Sequence, residues 1–121
     1  MNLITWNVRG LCRPAKRFLV RDFLNIHCSD VCCLQESKLS EISQSVWREI
    51  GGTRFDKFVY LPARRSTGGI IIRWNSLVVD GKLEGSGTFS LSVNFQSKRD
   101  NLIWSCTAVY GPNLMSSKAG F

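Results

Sequence analysis

Three apolar runs of the chain each end in a polar residue that could take part in phosphate chemistry. Asn7 follows the first run, Glu36 the second and Tyr110 the last, each where the run opens into a loop. Strand ends that open into loops are where sheet proteins place ligands and reactive groups. An amide, a carboxylate and a phenol that converge there could hold a divalent cation such as Mg²⁺, which leaves coordination positions open for phosphate oxygens.

Each of these residues also fits a purely structural role. Asn7 could satisfy turn hydrogen bonds after a strand. Glu36 could be a surface carboxylate paired with Lys38, and Tyr110 a core aromatic whose hydroxyl reaches the edge of the sheet. The spacing of the residues does not decide between the two interpretations.

The elements that would position these residues alternate between strand and helix in the first half of the chain. Residues 3–8 read as a short buried strand, and Pro14 suits the first turn of a following helix. The apolar stripe of that helix is expected to comprise Leu19, Phe23 and Ile26, flanked by Val20 and Leu24. These positions predict the face that the helix packs on the core.

A second strand and a second helix follow, and then the hydrophobic period changes. Residues 31–34 form another apolar run, and Ser40 could cap a helix that continues to Ile50 and stops at two glycines. Beyond it the alternation predicts strands only, at 55–61, 69–74, 77–79, 89–95 and 102–110. The order is therefore β-α-β-α followed by several strands, which predicts an α+β fold.

The composition is that of a basic, core-forming chain. Its 121 residues suit one domain, and 16 Lys and Arg against 9 Asp and Glu give a net charge of +7. Such a charge favours polyanionic partners, nucleic acid or an anionic membrane surface. The 44% of hydrophobic residues excludes an intrinsically disordered chain, and no apolar run has the length of a membrane span. The N-terminus lacks the pattern of a signal peptide, so we expect an intracellular protein and no membrane partner.

Five cysteines and a single histidine do not form a recognisable metal or disulfide pattern. The odd count and the absence of paired Cys-x-x-Cys knuckles predict small core residues in a reducing compartment. Cys32 and Cys33 are adjacent, so their side chains should point to opposite faces of a strand. His27 is expected at a helix end, where a protonated imidazole is favourable.

Four segments carry a resemblance to a known family. Residues 6–11, Trp-Asn-Val-Arg-Gly-Leu, and residues 31–38, Val-Cys-Cys-Leu-Gln-Glu-Ser-Lys, resemble the first two motifs of the endonuclease/exonuclease/phosphatase superfamily, which includes deoxyribonuclease I. Residues 66–70 and 109–113 resemble its glycine-containing strand entry and its third motif. Within the superfamily, the likeness is greatest to the endonuclease domains of plant LINE-type (non-LTR) retrotransposons.

The resemblance implies a role for several residues. Asn7 and Glu36 would lie around a divalent metal, Mg²⁺ or Mn²⁺, with Glu36 as a direct ligand. Tyr110 would reach the scissile phosphate, and Asn113 would line the same site. The implied reaction is hydrolysis of a DNA phosphodiester by water, with the metal and hydrogen-bond donors stabilising the charge on the phosphate oxygens.

The basic residues next to these motifs extend the implied site to DNA. Arg9 and Lys38 are candidates for contacts to DNA phosphates. A non-catalytic alternative is a basic module that binds nucleic acid or another protein, with DNA affinity sensitive to Arg13, Lys16 and Arg17 and indifferent to Glu36. A phosphatase of small phosphoesters or inositol lipids would use the same superfamily scaffold.

The chain departs from the family pattern in its later motifs. The sequence has neither the Gly-Asp-Phe-Asn nor the Ser-Asp-His motif, which in the family supply further metal, phosphate and nucleophile contacts. The resemblance implies half of a four-layer α/β/β/α sandwich, with residues 1–121 as a truncated N-terminal half. We therefore expect roughly one sheet with its helices, little nuclease activity, nuclear location if functional, and self-association or pairing with a complementary half through an exposed sheet face.

Overall fold

A computed structural model describes residues 1–65 and 67–109 of the chain. Their elements follow the expected order of strand, helix, strand, helix and then strands. The elements are β1 (Leu3–Asn7), α1 (Pro14–Ile26), β2 (Val31–Gln35), α2 (Gln44–Glu49), β3 (Lys57–Leu61), β4 (Ile70–Trp74), β5 (Val79–Ser86), β6 (Ser90–Ser97) and β7 (Ile103–Val109). In the described part of the chain, no helix is both long and apolar enough to cross a bilayer.

The strands form two separate sheets. The first sheet has the order β1-β2-β4-β3, with β1 and β2 parallel and the remaining pairs antiparallel. The second is an antiparallel meander, β5-β6-β7. The expected α+β class is confirmed, and the described residues build three layers: helices, the first sheet and the second sheet.

Two apolar clusters hold these layers together. One lies between α1, α2 and the first sheet, and includes Val20, Leu24, Cys32 and Ile71. The other lies between the two sheets. Its members are Val31, Cys33, Ile70, Ile72, Trp74, Val79, Leu91, Val93, Phe95, Cys106 and Ala108. The expectation of one sheet with an open inner face is therefore wrong for β2 and β4, because the second sheet of the same chain covers them.

The cysteine pair in β2 shows how this strand serves both clusters. Cys32 lies in the helix-side cluster and Cys33 in the inter-sheet cluster, as the period of two predicted. Burial raises the pKa of the Cys32 thiol to about 12. A hydrogen bond with Cys106 and burial raise the pKa of Cys33, and both thiols lie in the inter-sheet cluster. Cys12 and Cys28 are exposed, so the prediction that all five cysteines are core residues is wrong for these two.

Helix α1 packs a different face on the core than its apolar pattern predicted. Its buried residues are Arg17, Val20 and Leu24, whereas Leu19 and Ile26 are 55% and 75% exposed. The helix turns this way because Arg17 donates hydrogen bonds to the carbonyls of Leu11 and Cys12 and pairs with Glu49 at 3.3 Å. His27 caps the C-terminus of α1, in agreement with its expected place at a helix end.

Helix α2 is shorter than the pattern predicted. Its N-cap is Ser43, whose hydroxyl accepts a hydrogen bond from the backbone N–H of Val46 at 3.3 Å. The prediction that Ser40 caps the helix is wrong, because residues 36–43 form a connection without regular secondary structure and the helix begins only at Gln44. The strand predicted at 77–79 also begins later than expected. Leu77 lies in the turn before β5 and is 83% exposed, and β5 itself begins at Val79.

A buried arginine joins α2 and the following loop to the first sheet. Arg73 of β4 is 5% exposed and donates to the backbone carbonyls of Trp47, Ile50 and Phe55. Its guanidinium also lies over the Trp47 ring, 5.0 Å from the ring centre. Burial lowers its pKa from the ordinary value, and the guanidinium nevertheless stays charged, because arginine begins far above neutral pH.

We expect Arg73→Met to destabilise the fold strongly. Methionine keeps the apolar stem and leaves three carbonyl groups without a donor, at a cost of about 3 kcal/mol in the free energy of unfolding. Urea denaturation followed by circular dichroism measures this loss. Arg99→Met, in the exposed β6–β7 turn, is the matched control and should leave the midpoint unchanged. Equal midpoints for the two variants would contradict the role given to Arg73.

Candidate functional site

The parallel pairing of β1 and β2 brings two of the sequence-predicted site residues to one edge of the first sheet. Asn7 is the last residue of β1 and pairs with Gln35, so Glu36 comes one position beyond the pair. Asn7 is exposed, and its Oδ1 accepts a hydrogen bond from the backbone N–H of Arg9 at 3.1 Å. Glu36 is half-buried, and among the described residues it forms no ion pair, Lys38 included.

Backbone hydrogen bonds lock three loops together at this edge. The N–H of Gly10 donates to the carbonyl of Glu36 at 2.8 Å, which joins the loops after β1 and β2. On the other side, the N–H of Ser37 donates to Gly69 at 3.1 Å and the N–H of Lys38 donates to Gly68 at 2.8 Å. The loop after β2 is therefore held from both sides, and its side chains project from a fixed backbone.

Left-handed backbone conformations concentrate in these loops. Arg9, Glu36 and Lys38 have φ values of 55°, 60° and 59°, a region that non-glycine residues seldom occupy. Conformations of this kind persist where surrounding hydrogen bonds impose them, and they cluster at functional sites. All three were singled out from the sequence on other grounds, and their strain supports a functional interpretation of this edge.

A basic cleft of about 320 Å³ opens beside the strand ends. It is lined by Arg9, Gly10, Cys12, Arg13, Lys16 and Lys38. No acidic residue of the described chain lines it, so its electrostatic character suits a phosphate group. Helix α1 begins at the same place, and no side chain of the described residues caps its first backbone N–H groups.

Sequence reasoning assigned the basic residues of this region only in part. Arg9 and Lys38 line the cleft, as do Arg13 and Lys16. Arg17 does not: it is buried and its donors bind the carbonyls of Leu11 and Cys12, so its expected role in DNA binding is wrong. The apolar period of α1 could not have separated Arg17 from Arg13 and Lys16, because the burial of Arg17 depends on its hydrogen bonds to the carbonyls of Leu11 and Cys12.

Two further predicted site residues, Tyr110 and Asn113, lie outside the described residues, as does Ser66 of the glycine-containing segment. The described residues contain no group of three His, Cys, Asp or Glu side chains placed to hold a metal ion. At this edge, Glu36 offers a carboxylate, and Asn7 and its pairing partner Gln35 offer amides.

We expect Gly69→Ala to disturb the site. Gly69 has a φ of +93°, and a Cβ there would collide with Ser37 Oγ and approach the Lys38 nitrogen to 3.2 Å. The added methyl group should therefore break the Ser37 and Lys38 hydrogen bonds and lower the free energy of unfolding by about 2 kcal/mol. Gly85→Ala is the control, because nothing lies within 4 Å of a Cβ at that position. Thermal unfolding measures both variants, and equal midpoints would contradict the close packing at Gly69.

Comparisons with known proteins bear on the fold. No family model matches the chain, and neither does any curated protein. An AP endonuclease from Leishmania major, LMAP, superposes with a TM-score of 0.65 and 23% identity, over 94% of this chain and 42% of its own. The catalytic domain of APE2 from Xenopus laevis superposes with a TM-score of 0.57 and 16% identity, over 93% of this chain and 45% of its own.

Both neighbours are AP endonucleases, members of the endonuclease/exonuclease/phosphatase superfamily, and at these identities the likeness is one of fold. The chain spans less than half the length of each. Over nearly its whole length, therefore, the chain shares the fold of these AP endonucleases.

Proposed function

We propose that the chain derives from a metal-dependent DNA endonuclease, and that the edge formed by Asn7 and Glu36 is its metal and phosphate site. One observation carries the proposal: the parallel β1–β2 pair places both residues at one strand end, beside a cleft whose described lining is basic and neutral. The fold shared with AP endonucleases supports the same conclusion. The sequence motifs further suggest descent from a plant LINE-type retrotransposon.

The side chains at this edge suit a hard divalent cation. Mg²⁺ binds through one or two carboxylates, completes its shell with waters and phosphate oxygens, and does not need a cage of protein ligands. Glu36 supplies one carboxylate without an ion-pair partner among the described residues, and Asn7 supplies an amide oxygen. Mg²⁺ or Mn²⁺ bound there would stabilise the charge that builds on the phosphate oxygens.

The remaining site residues orient the phosphate in this proposal. Tyr110 would reach the scissile phosphate and Asn113 would line the same site, as the resemblance implies. Arg9 and Lys38 would bind the phosphates that flank it, since both line the basic cleft. The hydrogen bond from the Arg9 N–H fixes the Asn7 side chain, which keeps its amide oriented at the strand end.

We further propose that the chain alone cleaves DNA little or not at all. The Gly-Asp-Phe-Asn and Ser-Asp-His motifs do not occur in the sequence, and in the family they supply contacts to metal, phosphate and nucleophile. A protein acting on DNA in this way would be nuclear. DNA is the partner that we propose for the cleft. Self-association, or pairing with a complementary half, would cover the sheet face that the chain leaves exposed.

The first test is metal binding. Glu36→Gln removes the charge of the proposed ligand and keeps its size, so the Mn²⁺ affinity should fall at least about tenfold. Mn²⁺ electron paramagnetic resonance titration measures the free ion directly. Glu84→Gln, an exposed carboxylate on β5, is the matched control. Equal affinities for the two variants would refute Glu36 as a ligand.

Plasmid nicking tests the lack of activity separately. With Mg²⁺ present, the purified chain should leave supercoiled DNA intact. Nicking that disappears in Glu36→Gln would overturn the proposed inactivity and strengthen the nuclease assignment. Nicking that survives in Glu36→Gln would point to a contaminating nuclease.

A second function is favoured by the basic cleft itself: a non-catalytic module that binds DNA. We expect the Arg13→Gln, Lys16→Gln double variant to weaken DNA binding and to reduce the salt dependence of log K by about two, because two phosphates are no longer neutralised by the protein. Arg17 is left unchanged because it is buried. Arg99→Gln, outside the cleft, is the control, and fluorescence anisotropy at several salt concentrations is the measurement.

The two functions differ in their response to Glu36. In a module without a metal site, Mg²⁺ weakens DNA binding only as a competing counterion, and by the same factor in the unaltered chain and in Glu36→Gln. With a remnant nuclease site, Mg²⁺ changes the affinity of the unaltered chain by a different factor from that of Glu36→Gln. If the dependence of log K on salt concentration is the same in the double variant as in the unaltered chain, the cleft does not bind DNA in either proposed function.

A further inference from the structure

The first sheet ends at β1, whose outer side has no partner strand among the described residues. The carbonyl of Asn2 accepts from the N–H of Val31 at 3.1 Å, and the N–H of Val8 donates to Gln35 at 3.0 Å. Since alternate residues of a parallel strand serve one neighbour, the backbone groups of Leu3, Thr5 and Asn7 point away from β2. A second strand could pair with these groups directly.

Nothing in the sequence of β1 protects this edge. Its residues, Leu-Ile-Thr-Trp-Asn, include no charge and no proline, and those are the usual means by which an edge strand is kept from pairing with another chain. Met1 and Leu3 are 55% and 42% exposed, since the inter-sheet cluster includes residues of β2 and β4 and none of β1. The edge therefore combines unpaired backbone groups with apolar side chains.

The exposed apolar stripe of α1 adjoins this edge. A groove of about 840 Å³ runs along β1 and is closed on the helix side by Phe23 and His27. The Phe23 ring lies 4.7 Å from the Trp6 ring, and it also lines a shallower groove with Leu19 and Ile26. We call the whole the β1–α1 surface; its members are Met1, Leu3, Trp6, Leu19, Phe23 and Ile26.

We propose that the β1–α1 surface is a homodimer interface, in which β1 pairs antiparallel with β1 of a second copy. A two-fold axis beside β1 makes the interface self-complementary: edge strand meets edge strand and the α1 stripe meets its own copy. The second copy thus supplies a strand that pairs with the free backbone groups of β1. It also supplies an apolar helix face that packs on Leu19 and Ile26. The two four-stranded sheets then become continuous.

The distribution of charge agrees with a second copy as the occupant. Among the described residues, Asp22 and His27 alone bring ionisable side chains to the two grooves, so the net charge of +7 is not concentrated on the β1–α1 surface. The basic cleft lies at the carboxyl end of β1. The proposal does not depend on nuclease activity.

Sedimentation equilibrium in the presence of a reductant tests the interface. The reductant is needed because the exposed Cys12 and Cys28 could otherwise form disulfide-linked dimers. The mass should rise with concentration from 13.7 kDa to twice that value. Ile26→Asp should raise the dimer Kd at least about tenfold, because it places a charge in the apolar contact. Leu77→Asp, at a similarly exposed leucine in the turn before β5, is the matched control and should leave the Kd unchanged.

Thr5→Lys tests the strand pairing itself, since a lysine on an edge strand disfavours its pairing with another chain. The variant should be monomeric with an unchanged circular dichroism spectrum. Hydrogen exchange supplies a readout that needs no variant: the amides of Leu3 and Thr5 should become protected as the concentration rises. A monomer at every concentration, or a dimer that Ile26→Asp and Thr5→Lys both leave intact, would overturn the proposal. A dimer abolished only by Ile103→Asp would instead assign the interface to the edge at β7.

Discussion

The Arg73 guanidinium is the contact on which the helix side of the structure depends. It enters the core from the middle of the first sheet and binds carbonyl groups at the end of α2 and in the loop that leads to β3. Without the guanidinium those carbonyls would be buried and unsatisfied, which is costly. Within the described chain no carboxylate forms an ion pair with Arg73, and aligned carbonyl dipoles and the Trp47 ring take that place.

This arrangement explains why a helix of only six residues, α2, is stable in this fold. An isolated helix of that length does not persist in water, and its stability must come from tertiary contacts. Trp47 is buried under Arg73, and Ile50 completes the apolar cluster at the C-terminus of the helix. The first sheet thereby stabilises α2, and it also supports the loops that follow the ends of β1 and β2.

The same sheet connects the proposed site to the proposed interface. One end of β1 carries Asn7 and opens into the basic cleft, whereas its outer side and the neighbouring α1 stripe are apolar. Dimerisation through β1 would therefore bury the apolar side and leave the cleft accessible to DNA. The basic surface and the apolar surface are separated along one short strand and one helix, because the buried residues Arg17, Val20 and Leu24 set the rotation of α1.

Several features of this arrangement could be read from the sequence. The alternating pattern and the turn residues predicted the order of the elements, and the adjacency of Cys32 and Cys33 predicted that their side chains lie on opposite faces of β2, as they do.

Tertiary structure decided what the pattern of single segments could not. The polar residues after the apolar runs predicted where a site would be, and only the parallel pairing places Asn7 and Glu36 at one edge; their chemical roles stay predictions. Leu19, Phe23 and Ile26 have the helical period of a core face, yet α1 buries Arg17, because two carbonyls and Glu49 offer that guanidinium better partners than solvent does. The second sheet covers β2 and β4, and no local pattern specifies which sheet faces are joined. Sequence alone thus determined the order of the elements and the residue types at their ends. The faces that meet, and those that stay open, depended on long-range contacts that periodicity does not encode.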